Sequence, residues 1–253
     1  MLYHLNAMKE FKAPLSSGVK LKKDFPAYDG YSFGVLIMRS WVPKPLGHVS
    51  QVNTYDYPVL PYLVEGSNFQ RILGGDMTLL PTIVDAAKEL ESLGCKCITS
   101  SCGYFGRYQK AVADELDAPV YISSICQIPW VLSGLGEDKK IIVLCYDDSL
   151  LVRPILESCG LSESDIDRCI IKGLCNEPAF SDIRKCQGHY NIETAREEIV
   201  STALRLQKEN PNVAAVVLEC TDMPPHAAAI QKATNLPVFD ITTLLDFINS
   251  VVE

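Results

Sequence analysis

The sequence lacks the features of several common protein classes. It contains no long cluster of lysine and arginine, and its formal net charge is −8, so we do not expect nucleic acid as a partner. No apolar run approaches the roughly 20 residues that a membrane-spanning helix needs. The first residues have no continuous apolar core followed by a cleavage site, which argues against a signal peptide. We therefore expect a cytoplasmic protein with no membrane partner, in which the ten cysteines stay mostly reduced.

The cysteines also lack the spacing of a structural metal site. No C-x-x-C pair occurs anywhere in the chain, although such pairs are typical of zinc sites. Cys95 and Cys97 are close to Cys102 in sequence, but we place both on a buried strand. We therefore predict no metal site.

Apolar runs alternate with amphipathic stretches along most of the chain. This order predicts a mostly parallel sheet arrangement with helices on both faces, an α/β protein. The predicted strands are Phe33–Met38, Cys95–Thr99, Val120–Ile122, Lys140–Cys145, Arg168–Lys172, Ala214–Leu218 and Val238–Asp240. The predicted helices are Leu79–Leu93, Tyr104–Leu116, Ser149–Cys159, Ile192–Glu209 and His226–Thr234, with a last helix from about Thr242.

Two cysteines occupy matching positions in an internal repeat. The segments I-T-S-S-C-G from Ile98 and V-V-L-E-C-T-D from Val216 each end an apolar run at a cysteine, and a helix-like stretch follows. In both copies a Pro-Val-aromatic sequence begins 17 positions after the cysteine, at Pro119 and Pro237. Two matching half-structures can therefore direct Cys102 and Cys220 at one substrate from opposite sides.

Both thiols lie between a predicted strand and a predicted helix. At a helix N-terminus the dipole and free N–H groups stabilise a thiolate, which is the useful base or nucleophile, and the same N–H groups can hold a carboxylate. The alternative is that both cysteines are structural residues at strand ends. The matching placement favours the functional interpretation.

These residues resemble the aspartate/glutamate/hydantoin racemase superfamily. The resemblance runs from about Tyr31 onward and is most specific in S-S-C-G at 100–103, E-C-T-D-M-P-P at 219–225 and P-V-F-D-I at 237–241. It implies two pseudo-symmetric three-layer α/β/α domains with the active site in the cleft between them. It also implies that no cofactor is needed, pyridoxal phosphate included. Cys102 and Cys220 would be the two catalytic thiols, one removing the α-proton of an amino acid or related small carboxylate and the other returning a proton.

The resemblance and the local sequence suggest further site residues. We assign substrate contacts to Asn53 and Thr54, from the long loop after the first strand, and to Ser101, Gly103 and Thr221 beside the cysteines. Auxiliary roles fall to His48, Asp222 and His226. For Asp222 the alternative is an N-cap of the following helix; for the loop residues it is an ordinary surface loop, and for His226 a partly exposed helical residue.

The domain boundaries follow from the repeat. We predict a first domain from residues 1–125 and 224–253, with the C-terminal segment returning to it, and a second domain from residues 126–223. A homodimer is the assembly that the resemblance suggests. Beside a cofactor-independent racemase or epimerase, three alternatives stay open: a maleate-type cis–trans isomerase, a decarboxylase on the same scaffold, and a non-catalytic small-carboxylate binding protein. Retention of both cysteines argues against an arylmalonate decarboxylase, a branch that keeps only the second.

Overall fold

The computed structural model describes residues 30–185 and 191–252. Within them, eight strands form two four-stranded sheets in which every pairing is parallel. The first sheet has the order β2-β1-β3-β4, and the second has the order β6-β5-β7-β8. The strands are β1 Phe33–Ile37, β2 Val59–Leu63, β3 Cys97–Ser100, β4 Val120–Tyr121, β5 Lys140–Cys145, β6 Cys169–Gly173, β7 Val213–Leu218 and β8 Val238–Phe239.

Helices cover both faces of the sheets, so the central strands β3 and β5 are buried almost throughout, as parallel sheets require. The α-helices of the described residues are Phe69–Leu73, Leu80–Ser92, Gln109–Ala113, Ile128–Ser133, Arg153–Ser158, Glu163–Asp167, Pro178–Ser181, Ile192–Glu209, Ala227–Thr234 and Ile241–Val252. The predicted α/β fold with two parallel sheets is confirmed. None of the described helices is long and apolar enough to cross a membrane.

The two sheets repeat one topology. In each, the strand before the cysteine pairs with the first long strand of its half, and the Pro-Val-aromatic strand forms the far edge: β4 beside β3, and β8 beside β7. We expected the whole tail after Cys220 to pack on the first half. Instead β8 completes the second sheet, because it is the exact counterpart of β4 in the repeat.

The last helix does pack on the first half. Helix Ile241–Val252 places Ile241, Leu245 and Ile248 in one apolar cluster with residues of the first sheet, including Phe33 and Cys97. A segment of the first half likewise contacts the second half. The turn that follows β4 reaches the second sheet, where the Ser124 hydroxyl donates to the carbonyl of Leu218 at 2.7 Å. The halves therefore exchange the segments that follow their edge strands. The predicted domain boundaries stay a prediction.

One strand was not predicted. β2 lies at the edge of the first sheet, in a stretch that we expected to be the end of a long loop. Pro61 lies within it, and proline is tolerated at an edge because only one side of the strand is hydrogen-bonded. The strand is only partly buried, and Pro61 interrupts its apolar residues, so the sequence pattern does not mark it as a strand.

Candidate active site

Cys102 and Cys220 line a single cavity between the two halves. It encloses about 430 Å³ including its open mouth. Cys102 follows β3 and caps a short 3₁₀ helix, Gly103–Tyr108, while Cys220 follows β7 two residues past its end. The carboxyl ends of parallel strands, where ligands bind in such sheets, thus bring the two predicted thiols together. Their catalytic roles stay predictions.

The remaining lining combines polar and aromatic residues. The structure brings Ser101, Gly103, Thr221, Asp222 and His48 to the cavity, as the sequence predicted. Other lining residues come from the loop after β1, from the helix 69–73, from the 3₁₀ helix after Cys102 and from the ends of β5 and β7: Met38, Ser40, Val42, Lys44, Phe69, Leu73, Tyr104, Tyr146 and Glu219.

Asn53 and Thr54 do not line the cavity. Asn53 is exposed on a 3₁₀ turn, Val52–Thr54. Thr54 instead holds the loop together, because its hydroxyl accepts from the Gly47 N–H at 3.0 Å and donates to the His48 carbonyl at 3.1 Å. The loop therefore reaches the site through Lys44 and His48 rather than through the two residues that we predicted.

Asp222 connects the second thiol to the loop. The Cys220 thiol donates to Asp222 Oδ2 at 3.8 Å, and His48 Nε2 lies 3.3 Å from Asp222 Oδ1. His48 Nδ1 accepts from the Ser50 N–H at 2.9 Å. The proton of a neutral His48 is therefore on Nε2, where it can be donated to the Asp222 carboxylate. The helix-capping alternative for Asp222 is not supported, because the following turn begins at Met223 without a side-chain cap.

The ionisation of Asp222 is favoured in spite of its burial. Burial opposes the charged form, but the hydrogen bond and charge of His48, the charge of Lys44 and the thiol of Cys220 outweigh it, and the pKa of Asp222 lies below its ordinary value. Asp222 is therefore a carboxylate at neutral pH. Its negative charge favours the protonated form of the thiol next to it.

The two thiols have different electrostatic surroundings. Burial is the main cause that raises the pKa of each far above its usual value. The next cause is Glu219 for Cys102 and Asp222 for Cys220. Burial raises the pKa of Glu219 to about 8, so this neighbour of Cys102 is mostly uncharged at neutral pH, whereas the neighbour of Cys220 is charged. Cys102 is therefore the thiol that loses its proton more readily.

His226 is not a lining residue. It is completely buried, and neither ring nitrogen has a hydrogen-bond partner among the described residues. Burial and the charge of Arg196 lower its pKa to about 4, so it is neutral at physiological pH. The alternative interpretation, a partly exposed helical residue, is wrong, because the Pro224–His226 turn directs the imidazole into the protein interior.

Among the residues that the structure describes, no three His, Cys, Asp or Glu side chains are grouped in a way that could hold a metal ion. The polar side chains of the cavity are hydroxyls, one ammonium, one imidazole, two carboxyls and two thiols. They can bind a small charged substrate and transfer a proton.

Comparison with known proteins gives two kinds of similarity. No protein-family model matches the chain. It is 28% identical over 232 residues to dimethylsulfoniopropionate lyase 7 of Emiliania huxleyi (strain CCMP1516), covering 88% of this chain and 67% of that protein. It is also 28% identical over 223 residues to dimethylsulfoniopropionate lyase of Durusdinium sp. clade D, covering 85% and 73%. The chain spans only 58% of two further Emiliania lyases.

Solved structures share the fold. Allantoin racemase from Klebsiella pneumoniae matches with a TM-score of 0.59 and 15% identity, over 87% of either chain. Unliganded arylmalonate decarboxylase matches with a TM-score of 0.54 and 12% identity, over 88% of this chain and 92% of that one. A glutamate racemase isoform from Bacillus anthracis matches with a TM-score of 0.52 and 12% identity, over 86% and 82%. The chain therefore has the fold of the aspartate/glutamate/hydantoin racemase superfamily, as the resemblance predicted.

Proposed function

We propose that this protein is a lyase that removes a proton from the carbon next to a carboxylate and expels a sulfide from the following carbon, with dimethylsulfoniopropionate as substrate. The observation that carries the proposal is the pair of buried thiols at one cavity, of which only one has a charged carboxylate beside it. The similar sequences reported above support this choice of reaction over racemisation, since they are dimethylsulfoniopropionate lyases.

Cys102 is the base in this proposal. Its thiolate takes a proton from the carbon α to the substrate carboxylate, and the electron pair of the broken C–H bond forms a double bond between the α and β carbons. The β carbon–sulfur bond breaks, and its electrons leave with dimethyl sulfide. The products are acrylate and dimethyl sulfide, and the proton on Cys102 is released to water in the next step.

The substrate's own charges fit the cavity. Dimethylsulfoniopropionate carries a positive sulfonium two carbons from its carboxylate. Burial keeps both thiols protonated in the free protein, and positive charge at the cavity favours a thiolate nearby. The Lys44 ammonium, at the cavity, supplies a positive charge for the substrate carboxylate, and charge stabilisation of this kind lowers the barrier to carbanion formation.

Cys220 has no proton to transfer in an elimination, because dimethyl sulfide leaves uncharged. The S–H of Cys220 is directed at Asp222. We therefore propose that Cys220 contributes to the shape and polarity of the cavity and does not transfer a proton. In a racemase the same thiol would have to donate a proton to the carbanion.

A racemase or epimerase of a small carboxylate is the second candidate. It is favoured by one observation, that both thiols line the same cavity from the two halves. A decarboxylase is also compatible with the shared fold.

One experiment separates these reactions. The purified protein is incubated in D₂O with dimethylsulfoniopropionate and, separately, with aspartate, glutamate, allantoin and an arylmalonate, and proton NMR follows each substrate. The lyase gives vinyl signals of acrylate. A racemase gives loss of the α-proton signal without new products, and a decarboxylase gives the decarboxylated acid. Absence of acrylate together with α-exchange of an amino acid would overturn the lyase proposal in favour of the racemase.

A further inference from the structure

Glu219 is an unusual residue at the cavity. Its side chain is completely buried and lines the cavity, yet neither carboxyl oxygen has a hydrogen-bond partner among the described residues. A buried polar group without a partner costs about 1–3 kcal/mol. The folded protein would be more stable with an apolar residue of similar size at this position. A carboxyl group buried here without a partner therefore indicates that a ligand binds to it.

The surroundings leave the carboxyl group without a protein partner. The Tyr104 phenol, which interacts electrostatically with Glu219, is used elsewhere: it donates to the Asp147 carbonyl and accepts from the Asp147 N–H, both at 2.8 Å. The backbone N–H of Tyr146 faces the carboxyl group and favours its ionised form. The closest packing is against Gly103.

Gly103 makes the space that Glu219 occupies. A Cβ at this position would collide with Oε1 and the side-chain carboxyl carbon of Glu219. The carboxyl group is therefore packed against the backbone next to Cys102. Two tyrosines, Tyr104 and Tyr146, line the cavity beside it.

We propose that Glu219 is the residue that recognises the positive charge of the substrate, together with the aromatic rings of Tyr104 and Tyr146. This inference rests on the proposed function, since it assigns the sulfonium end of the substrate to this corner of the cavity. A carboxylate and aromatic faces are the groups that bind sulfonium and quaternary ammonium cations.

The charge of Glu219 changes when the cation binds. Burial raises its pKa to about 8, so in the empty site it is mostly protonated at pH 7. An adjacent cation favours the ionised form, and the carboxyl group then releases its proton. The pair so formed is neutral overall, which leaves the Cys102 thiolate without a new opposing charge.

Two unreactive ligands of the same shape test the inference. 3-(Trimethylammonio)propanoate, the ammonium ligand, is a zwitterion with the charge distribution of the substrate, while 4,4-dimethylpentanoate, the carbon ligand, replaces the cationic nitrogen with carbon and keeps only the carboxylate. Isothermal titration calorimetry at pH 7 with the wild-type protein should give at least about tenfold tighter binding of the ammonium ligand. Glu219→Gln keeps the size of the side chain and should remove that preference while leaving binding of the carbon ligand unchanged. Glu197→Gln, at an exposed position, is the matched control.

Proton release provides a second measurement that needs no variant. In two buffers with different ionisation enthalpies, binding of the ammonium ligand to wild type at pH 7 should release up to one proton, and binding of the carbon ligand should release none. Equal affinities for the two ligands in wild type, or an equal loss for both in Glu219→Gln, would overturn the inference. So would binding of the ammonium ligand without proton release.

These outcomes are independent of turnover. A preference for the ammonium ligand in a protein that does not cleave dimethylsulfoniopropionate would leave the inference standing and refute the proposed reaction. Cleavage without the preference would do the opposite.

Discussion

The charge of Asp222 is expected to keep the Cys220 thiol protonated, and Asp222→Asn tests this directly. The Cys220 sulfur lies 3.8 Å from Asp222 Oδ2. At that separation two unit charges repel by about 4 kcal/mol with an effective dielectric constant of about 20, which is roughly a thousandfold in the acid dissociation constant of the thiol. Asn has nearly the same shape and can still accept from His48, so the substitution removes mainly the charge.

The assay is alkylation by iodoacetamide between pH 6 and pH 10, with the modification of each cysteine read by peptide mass spectrometry. Only the thiolate reacts, so the rate at Cys220 near pH 8 should rise by two to three orders of magnitude in Asp222→Asn. The rate at Cys102 in the same sample should change much less, because burial and Glu219 raise the pKa of that thiol more than Asp222 does. Asp167→Asn, on the surface, controls for the general effect of losing one negative charge.

An unchanged or slower reaction at Cys220 would refute the reasoning. It would mean that the Asp222 carboxylate does not raise the pKa of Cys220. The electrostatic argument for Cys102 as the base would then no longer hold.

Three further predictions concern the rest of the site. Lys44→Gln should raise KM for dimethylsulfoniopropionate by tenfold or more with a smaller effect on kcat, measured by steady-state kinetics, because it removes a charge that attracts the substrate carboxylate. Gly103→Ala should destabilise the protein by about 1–3 kcal/mol in urea unfolding through its collision with Glu219, whereas Gly134→Ala, whose Cβ would make only an ordinary contact at 3.6 Å with the Val131 carbonyl oxygen, should cost less. His226→Phe should reduce the loss of stability between pH 7.5 and pH 5 by about 1–2 kcal/mol.

The sign of the His226 prediction follows from its lowered pKa of about 4. The unfolded chain binds a proton near pH 6.5 and the folded chain does not, so stability is complete above that pH and is lost as the pH falls toward 4. A phenylalanine cannot titrate. If the unfolding free energy changed by the same amount between pH 7.5 and pH 5 in wild type and in His226→Phe, the buried, neutral state of the imidazole would be contradicted. Equal unfolding free energies of the two glycine variants, or an unchanged KM in Lys44→Gln, would contradict the other two.

The fold class could be predicted from the sequence because most strands are apolar runs and the longer helices begin and end at recognisable residues. Strand Lys140–Cys145 and helix Ile192–Glu209 have the predicted bounds exactly. The repeat that located Cys102 and Cys220 also predicts which sheet β8 joins. Pro237 matches Pro119 in the sequence, and the strands after the two prolines occupy matching edges of the two sheets. The error lay in assigning that strand by its position after the second cysteine rather than by its counterpart.

The chemistry of the site depended on contacts that no local pattern contains. His48 and Asp222 are far apart in sequence and meet only when the loop after β1 closes over the second half. Glu219 stood beside Cys220 in the most specific motif, but its sequence neighbours do not reveal that it is buried or that its oxygens have no partner. The one available signal was a glutamate within an otherwise apolar run, V-V-L-E-C. Because burying a carboxyl group is costly, an acidic residue at such a position suggests a functional role.

The central claim is tested most directly by the release of dimethyl sulfide. Headspace gas chromatography of the purified protein with dimethylsulfoniopropionate should find one dimethyl sulfide for each acrylate formed. Cys102→Ala should abolish the release, and Cys220→Ser should keep a measurable part of it. No dimethyl sulfide from the wild-type protein, or undiminished release from Cys102→Ala, would contradict the account.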